Sequence, residues 1–302
     1  MRAVLLDRHG PPEVLTIADL PLPEPGPGQL RVRVHAGGVQ PFDTYVRRGL
    51  PGFRMDLPHQ LGNEFAGVID RVGPEVRGWS AGDAVLGSAP LRSLAEYVLA
   101  DATAVVGKPA ALPMAAAGAL PASGQTALTA LRELRVGPGD TLLVHAAAGG
   151  AGTMAVQLAR HYGARVIGTA SAANHHYLAA LGATPVRYGP GLPQRVRELA
   201  PRGVDAVLDA VGGQALRDSL ELAPDRDRIG TLVEHALAEE LGVRGIRAQR
   251  STAALGELAE LCRRGVLRVG IRARFPLEAI ADAHSAVETG HGSGKVVIVL
   301  DG

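Results

Sequence analysis

The residues with the clearest capacity for chemistry lie in one run, Gly139 to Arg160, which reads GDTLLVHAAAGGAGTMAVQLAR. Thr141 to His145 is an apolar run the size of a buried strand. Ala146 to Gly152 then supplies only Ala and Gly, and Met154, Val156, Leu158, Ala159 and Tyr162 follow at helical spacing. Strand, small-residue turn and helix, in that order, form the layout of a dinucleotide phosphate site. A helix start leaves backbone N–H groups unpaired and carries partial positive charge, so a diphosphate placed there meets ready donors. The candidate contacts are Ala148, Gly149, Gly150, Ala151, Gly152 and Thr153. Gly149 admits the ligand to the backbone, and Gly152 lets the helix pack closely on the strand. Ala147 stands where G-x-G-x-x-G has its first glycine. The alternative is a tight helix-packing turn with no ligand.

The second strand of this unit, Arg165–Thr169, runs into Ala170-Ser171-Ala172-Ala173-Asn174-His175-His176. Selectivity for NAD needs a carboxylate there for the ribose 2′-OH, and none is present. Thr169, Ser171 and Asn174 can bond a 2′-phosphate instead. NADP(H) is therefore the expected cofactor, with NAD(H) left open. His175 and His176 are either partial cations for that phosphate or exposed residues of a helix's first turn.

Gly139 through His145, Ala147-Ala148-Gly149-Gly150, Gly152, Gln157 and Arg160 together resemble the signature of the zinc-free quinone oxidoreductases. These include zeta-crystallin and belong to the medium-chain dehydrogenase/reductase superfamily. The resemblance implies an α/β chain with a GroES-like β-barrel domain and a Rossmann domain, the latter a doubly wound parallel sheet. It implies that Gly38 to Gly49 lines the cleft beside the nicotinamide, with Gln40 where relatives usually carry Asn and Asp43-Thr44-Tyr45 matching the family triplet. Gln40 then bonds the nicotinamide ribose or the substrate, and Asp43 anchors the loop. Tyr45 is the candidate proton donor, the alternative being a packing tyrosine with a satisfied hydroxyl. Gly62-Asn63-Glu64 resembles the superfamily's Gly-His-Glu, with Asn63 in the place of the ligand His. That segment of zinc-dependent relatives which corresponds to residues 38–49 carries a metal-binding Cys, absent here, so no zinc is expected. His59 alone cannot hold a metal.

By the same resemblance the Thr126 region touches the nicotinamide, unless its hydroxyl serves only the helix N-terminus. Tyr188 matches a tyrosine beside the 2′-phosphate. Related NADPH reductases often carry Lys or Arg just after the second strand, and none occurs here between Arg165 and Arg187. Val211-Gly212-Gly213 resembles a loop near the nicotinamide. Thr231 to His235 ends the next strand, with His235 either in the cleft or packed away. Lys295, in Gly294-Lys295-Val296, is a cofactor-facing cation or, the favoured reading, a surface lysine. Phe42, Phe53 and Phe65 join Tyr45 as cleft aromatics.

The elements that must position these residues follow from pattern. A chain of 302 residues suffices for two domains. Residues 1–112 carry short apolar or alternating runs punctuated by Pro and Gly, which predicts strands over Arg2–Leu6, Leu15–Asp19, Leu30–Ala36, Gly67–Val72, Ala84–Gly87 and Glu96–Val98. Helices are predicted over Met114–Leu120 and Thr126–Leu134, with Pro121 to Gly124 between them. A βα alternation then runs to about residue 268, including strands at Gly230–Val233 and Ile246–Ala248. The resemblance returns the tail to the first domain, giving 1–112 with 269–302 and 113–268 as the two domains. Net charge is +1 and one cysteine is present, so neither a nucleic-acid partner, a membrane nor an internal disulfide is expected. The expected setting is cytoplasmic, and a homodimer through the edge near Ile246 stays open. The chemistry implied is zinc-independent hydride transfer to a quinone or α,β-unsaturated carbonyl. The alternatives are a biosynthetic enoyl reductase and a nucleotide-binding protein without turnover.

Overall fold

A computed structural model describes residues 1–300; the last two positions assigned to the first domain, 301–302, lie outside the described residues. Thr184–Arg187, Arg165–Ala170, Thr141–Val144, Ala206–Asp209, Ile229–Thr231 and Arg244–Gly245 lie side by side in that order as one parallel sheet. Numbered along the chain, this is the doubly wound order 3-2-1-4-5-6, whose direction reverses beside Thr141–Val144. Both faces are covered. Leu142 and Val144 pack with Met154, Leu158 and Leu128 on one side, while Leu143 packs with Ile167, Val196 and Leu216 on the other. Alternation along a two-sided strand requires this apolar run.

The β-rich body has a core of its own, built around Val32, Val34, Phe65, Ile69, Val85 and Ile298. Its larger sheet runs Ile271–Phe275, Lys295–Val299, Gln29–Val39, Glu64–Val72, Ala84–Ser88 and Val105–Gly107, with Tyr97–Asp101 also paired to Gln29–Val39. The tail strand Lys295–Val299 thus pairs antiparallel with Ala36–Val39, next to where the helix Pro41–Arg48 begins. Leu86 and Ala66 of this sheet pack into the core of the parallel-sheet body.

Three local expectations are corrected. Pro121 to Gly124 does not separate two helices: it forms the first turn of the helix Pro121–Glu133. Proline at the first helical position loses no hydrogen bond, because that N–H would be unpaired anyway. The outer strand is Arg244–Gly245, not 246–248, and Ile246 is buried against the sheet. His235 does not end a strand but opens the helix His235–Leu241. Among the described residues no helix is long and apolar enough to cross a membrane.

Candidate active site

The glycine turn sits at the carboxyl end of Thr141–Val144, where the sheet order reverses. Ala146 enters it with φ of 52°, and its N–H donates to Thr169 Oγ at 3.1 Å. Ala147 N donates to Thr169 O at 3.0 Å. Thr169 is buried and its hydroxyl oxygen accepts the turn's Ala146 N–H. The methyl of Ala147 is accommodated because Gly168 faces it; a Cβ on Gly168 would lie 2.8 Å from Ala147 Cβ. The glycine absent at position 147 of the turn is thus matched by one at position 168 on the neighbouring strand, a pairing that no local motif carries.

The helix Gly150–His161 has no side-chain cap. Its first return bond is Thr153 N to Gly149 O at 2.9 Å, and Thr153 Oγ donates to Gly150 O. Among the described residues, the amides of Gly150, Ala151 and Gly152 have no acceptor. A side chain on Gly152 would press into Ala146 O and come within 2.7 Å of Ala147 Cα. Bare, unpaired amides at a helix start form a cradle suited to a diphosphate.

Ser171 and Asn174 follow the second strand, half-buried, and Tyr188 is 52 % exposed. The neighbouring strand pairs Ala170 with Arg187, which is exposed. On the far side of the turn Asp209, fully buried, accepts from Val211 N and Gly212 N at 3.0 Å and from Thr231 Oγ at 2.6 Å. One carboxylate thus locks the loops after the fourth and fifth strands. Val211 and Val233 are left exposed on those loops. Glu234 accepts from Gly213 N and crowds Gly212, while the His235 ring packs against Gly245 of the outermost strand.

The β-rich body meets the turn through its tail, where Gly294 N donates to Ala148 O at 2.9 Å, and it carries further candidate residues. Gln40 precedes the helix Pro41–Arg48; its backbone N–H donates to Asp43 Oδ2 at 2.8 Å, and its Nε2 is buried without a partner. Asn63 Nδ2 donates to Asp43 Oδ1 at 3.0 Å. Burial pushes the Asp43 carboxyl up to about 6, outweighing hydrogen bonds that favour its charged form. Tyr45 and Phe42 both stand edge-on to Phe53, at 5.3 and 5.7 Å between ring centres. Phe42 is 40 % exposed, and Phe65 proves to be a core residue rather than a cleft aromatic. Thr126 Oγ donates to Ala122 O, one helical turn back.

Lys295 is not a surface lysine. Its side chain is 4 % exposed and its ammonium meets Glu64 Oε1 at 2.9 Å. Glu64 Oε2 accepts from Ala122 N at 2.7 Å, so this carboxylate also serves the start of Pro121–Glu133. Gly150 lies against the Lys295 stem, since a Cβ there would fall 2.8 Å from Lys295 Cδ. His59, half-buried, lies in a two-residue strand with its Nδ1 2.8 Å from Gln60 O.

A doubly wound sheet with a bare glycine turn at its reversal point, walled by a β-rich body that the chain enters twice, is the build of a medium-chain dehydrogenase/reductase. Two family profiles match: an alcohol dehydrogenase GroES-like domain over residues 26–110, and a zinc-binding dehydrogenase domain over residues 181–298. Human quinone oxidoreductase is 31 % identical over 328 residues, covering 99 % of this chain and 98 % of that one. A 2-haloacrylate reductase from Burkholderia sp is 32 % identical over 327 residues, covering 98 % of each. The solved Escherichia coli quinone oxidoreductase, complexed with NADPH, superimposes with a TM-score of 0.89 at 27 % identity, covering 99 % of this chain and 100 % of that one. The chain belongs to the quinone oxidoreductase family of that superfamily and is an oxidoreductase.

Proposed function

We propose that the protein is an NADPH-dependent, metal-independent reductase of quinones or α,β-unsaturated carbonyls. The observation that carries this reading is the run of acceptor-free amides at Gly150, Ala151 and Gly152; the buried, unpartnered Nε2 of Gln40, next to the Val39–Val296 strand pair, adds to it. The first suits a diphosphate and the second a ribose hydroxyl or substrate carbonyl. Residues 113–268 would hold the dinucleotide, and residues 1–112 with 269–302 would receive the substrate. Preference for the 2′-phosphate is supported by the lack of a carboxylate at Ser171–Asn174 and by Arg187 beside Ala170.

A bound nicotinamide supplies the hydride. The chain's own residues bind, orient and protonate. Asp209 and Asp43 fix the loops on the two sides of the cleft. Asn63 gives its amide to Asp43, so the segment that resembles a metal-ligand loop here braces the helix that carries Tyr45. The Tyr45 hydroxyl hydrogen-bonds to no other described residue and is available to the enolate oxygen of a reduced acceptor. Quinones and enones spread that negative charge and need no strong Lewis acid.

The relatives named as a quinone oxidoreductase and a 2-haloacrylate reductase both fit this class of acceptor. The test is anaerobic oxidation of NADPH and NADH by the purified chain, with soluble quinones, enones and enoyl thioesters offered in parallel. Turnover with quinones or enones, faster with NADPH, is expected. Binding of the dinucleotide without turnover on any acceptor would overturn the proposal, and activity confined to thioesters would redirect it to a biosynthetic enoyl reductase.

A further inference from the structure

Beneath the glycine turn three ionisable side chains are packed almost free of solvent. Glu64 and Asp43 are both 0 % exposed and Lys295 is 4 % exposed. The Lys295 ammonium pairs with Glu64, and Asp43 lies close enough to feel both charges. Backbone bonds pin the lysine under the turn: Gly294 N donates to Ala148 O at 2.9 Å, and Lys295 N donates to Gly270 O at 2.8 Å. Its stem then passes Gly150, the first residue of the helix with the free amides.

A cation at the positive end of a helix is unfavourable by itself. Glu64 offsets that cost, but the arrangement matters more for what binds above it. With both carboxylates ionised the trio carries one net negative charge; without the ammonium it carries two. Buried charges act at low effective dielectric and are poorly screened, so an extra negative charge there is felt by an anion at the turn.

We propose that Lys295 is a charge-balancing residue of the diphosphate site, acting through Glu64 to keep the buried carboxylates from repelling the ligand. This rests on the reading above that a dinucleotide occupies the turn. The full chain's affinity for ADP-ribose, measured by calorimetry, tests it, because that probe carries the diphosphate without the nicotinamide. Lys295→Met should weaken binding about tenfold, while Lys295→Arg should stay within about twofold of wild type. The double variant Lys295→Met with Glu64→Gln restores the original net charge and should recover wild-type affinity. Glu64→Gln alone should bind more tightly than wild type. That ranking follows charge, and a purely structural role would instead make the double variant no better than the singles. If Lys295→Met does not fold, the double variant still decides by its affinity against wild type, since replacing a buried ion pair by neutral residues is tolerated more readily than breaking it. Lys295→Met binding like wild type, or the double variant binding no better than Lys295→Met, overturns the inference. Glu64→Gln binding no more tightly than wild type does so as well. A wild-type chain that does not take up ADP-ribose removes the functional reading itself and this inference with it.

Discussion

Arg187 and Ala170 are register partners across two adjacent parallel strands. Arg187 therefore reaches the carboxyl edge from which Ser171 and Asn174 extend, although it is remote from them along the chain. The neighbouring Arg195 cannot take its place, because that guanidinium is spent on the carbonyls of Arg187, Pro190 and Gly189. A charge-assisted bond to phosphate accounts for about a tenfold effect, so Arg187→Ala should raise KM for NADPH by that factor and leave KM for NADH within about twofold. Equal losses with both cofactors would remove Arg187 from selectivity.

Gly152, in the helix Gly150–His161, and Gly256, in the helix Thr252–Arg263, should respond oppositely to alanine. At Gly152 the new methyl would press on Ala146 O and Ala147 Cα, which are backbone and cannot swing away. Gly152→Ala should cost ~1–3 kcal/mol and weaken dinucleotide binding. Nothing lies within 4 Å of a Cβ on Gly256, so Gly256→Ala should gain ~0.5–1 kcal/mol from the lower entropy of the unfolded chain. Urea unfolding of the two variants decides; equal shifts would contradict the packing argument.

Tyr45→Phe keeps the ring packed edge-on to Phe53 and removes only the hydroxyl. A fall in kcat of about tenfold with unchanged KM is expected, less than the ~10²–10⁴ of an obligatory acid, since solvent can protonate a delocalised enolate. A kcat equal to wild type would assign Tyr45 to packing alone.

His284 and Asp43 should shape acid stability in opposite directions. Burial, helped by the nearby Arg47 charge, pushes the His284 ring down to about 3 from 6.5, and both ring nitrogens lack partners. Between those values the unfolded chain binds a proton that the folded chain refuses. This group's contribution is therefore lost as pH falls below about 6.5, by at most ~1.4 kcal/mol per unit. Asp43 is raised from 3.8 to about 6, so the folded state takes its proton first and gains stability as pH falls through 6 toward 4. His284→Leu should flatten the acid limb of stability against pH, and Asp43→Asn should steepen it. Denaturant midpoints across that range would show either slope, and a limb unchanged in His284→Leu would exclude the histidine as its cause.

Local pattern was enough for the doubly wound sheet and the glycine turn. Apolar runs of strand length, helical spacing and a stretch of Ala and Gly are properties of contiguous residues, and strands alternating with helices leave the parallel doubly wound sheet as the way to bury them. Tertiary structure alone decided the rest. Lys295 is buried because Glu64, far away in sequence, supplies its counter-charge and Gly150 the room for its stem. Ala147 can replace a glycine because Gly168 on the next strand gives way. Asp209 gains its partners from a loop and a threonine on other elements, and Arg187 its place beside Ala170 from strand register. Each depends on a partner that only chain folding brings near, so the bare glycine turn is readable in the sequence while the burial of Lys295 and the placing of Arg187 beside Ala170 are not.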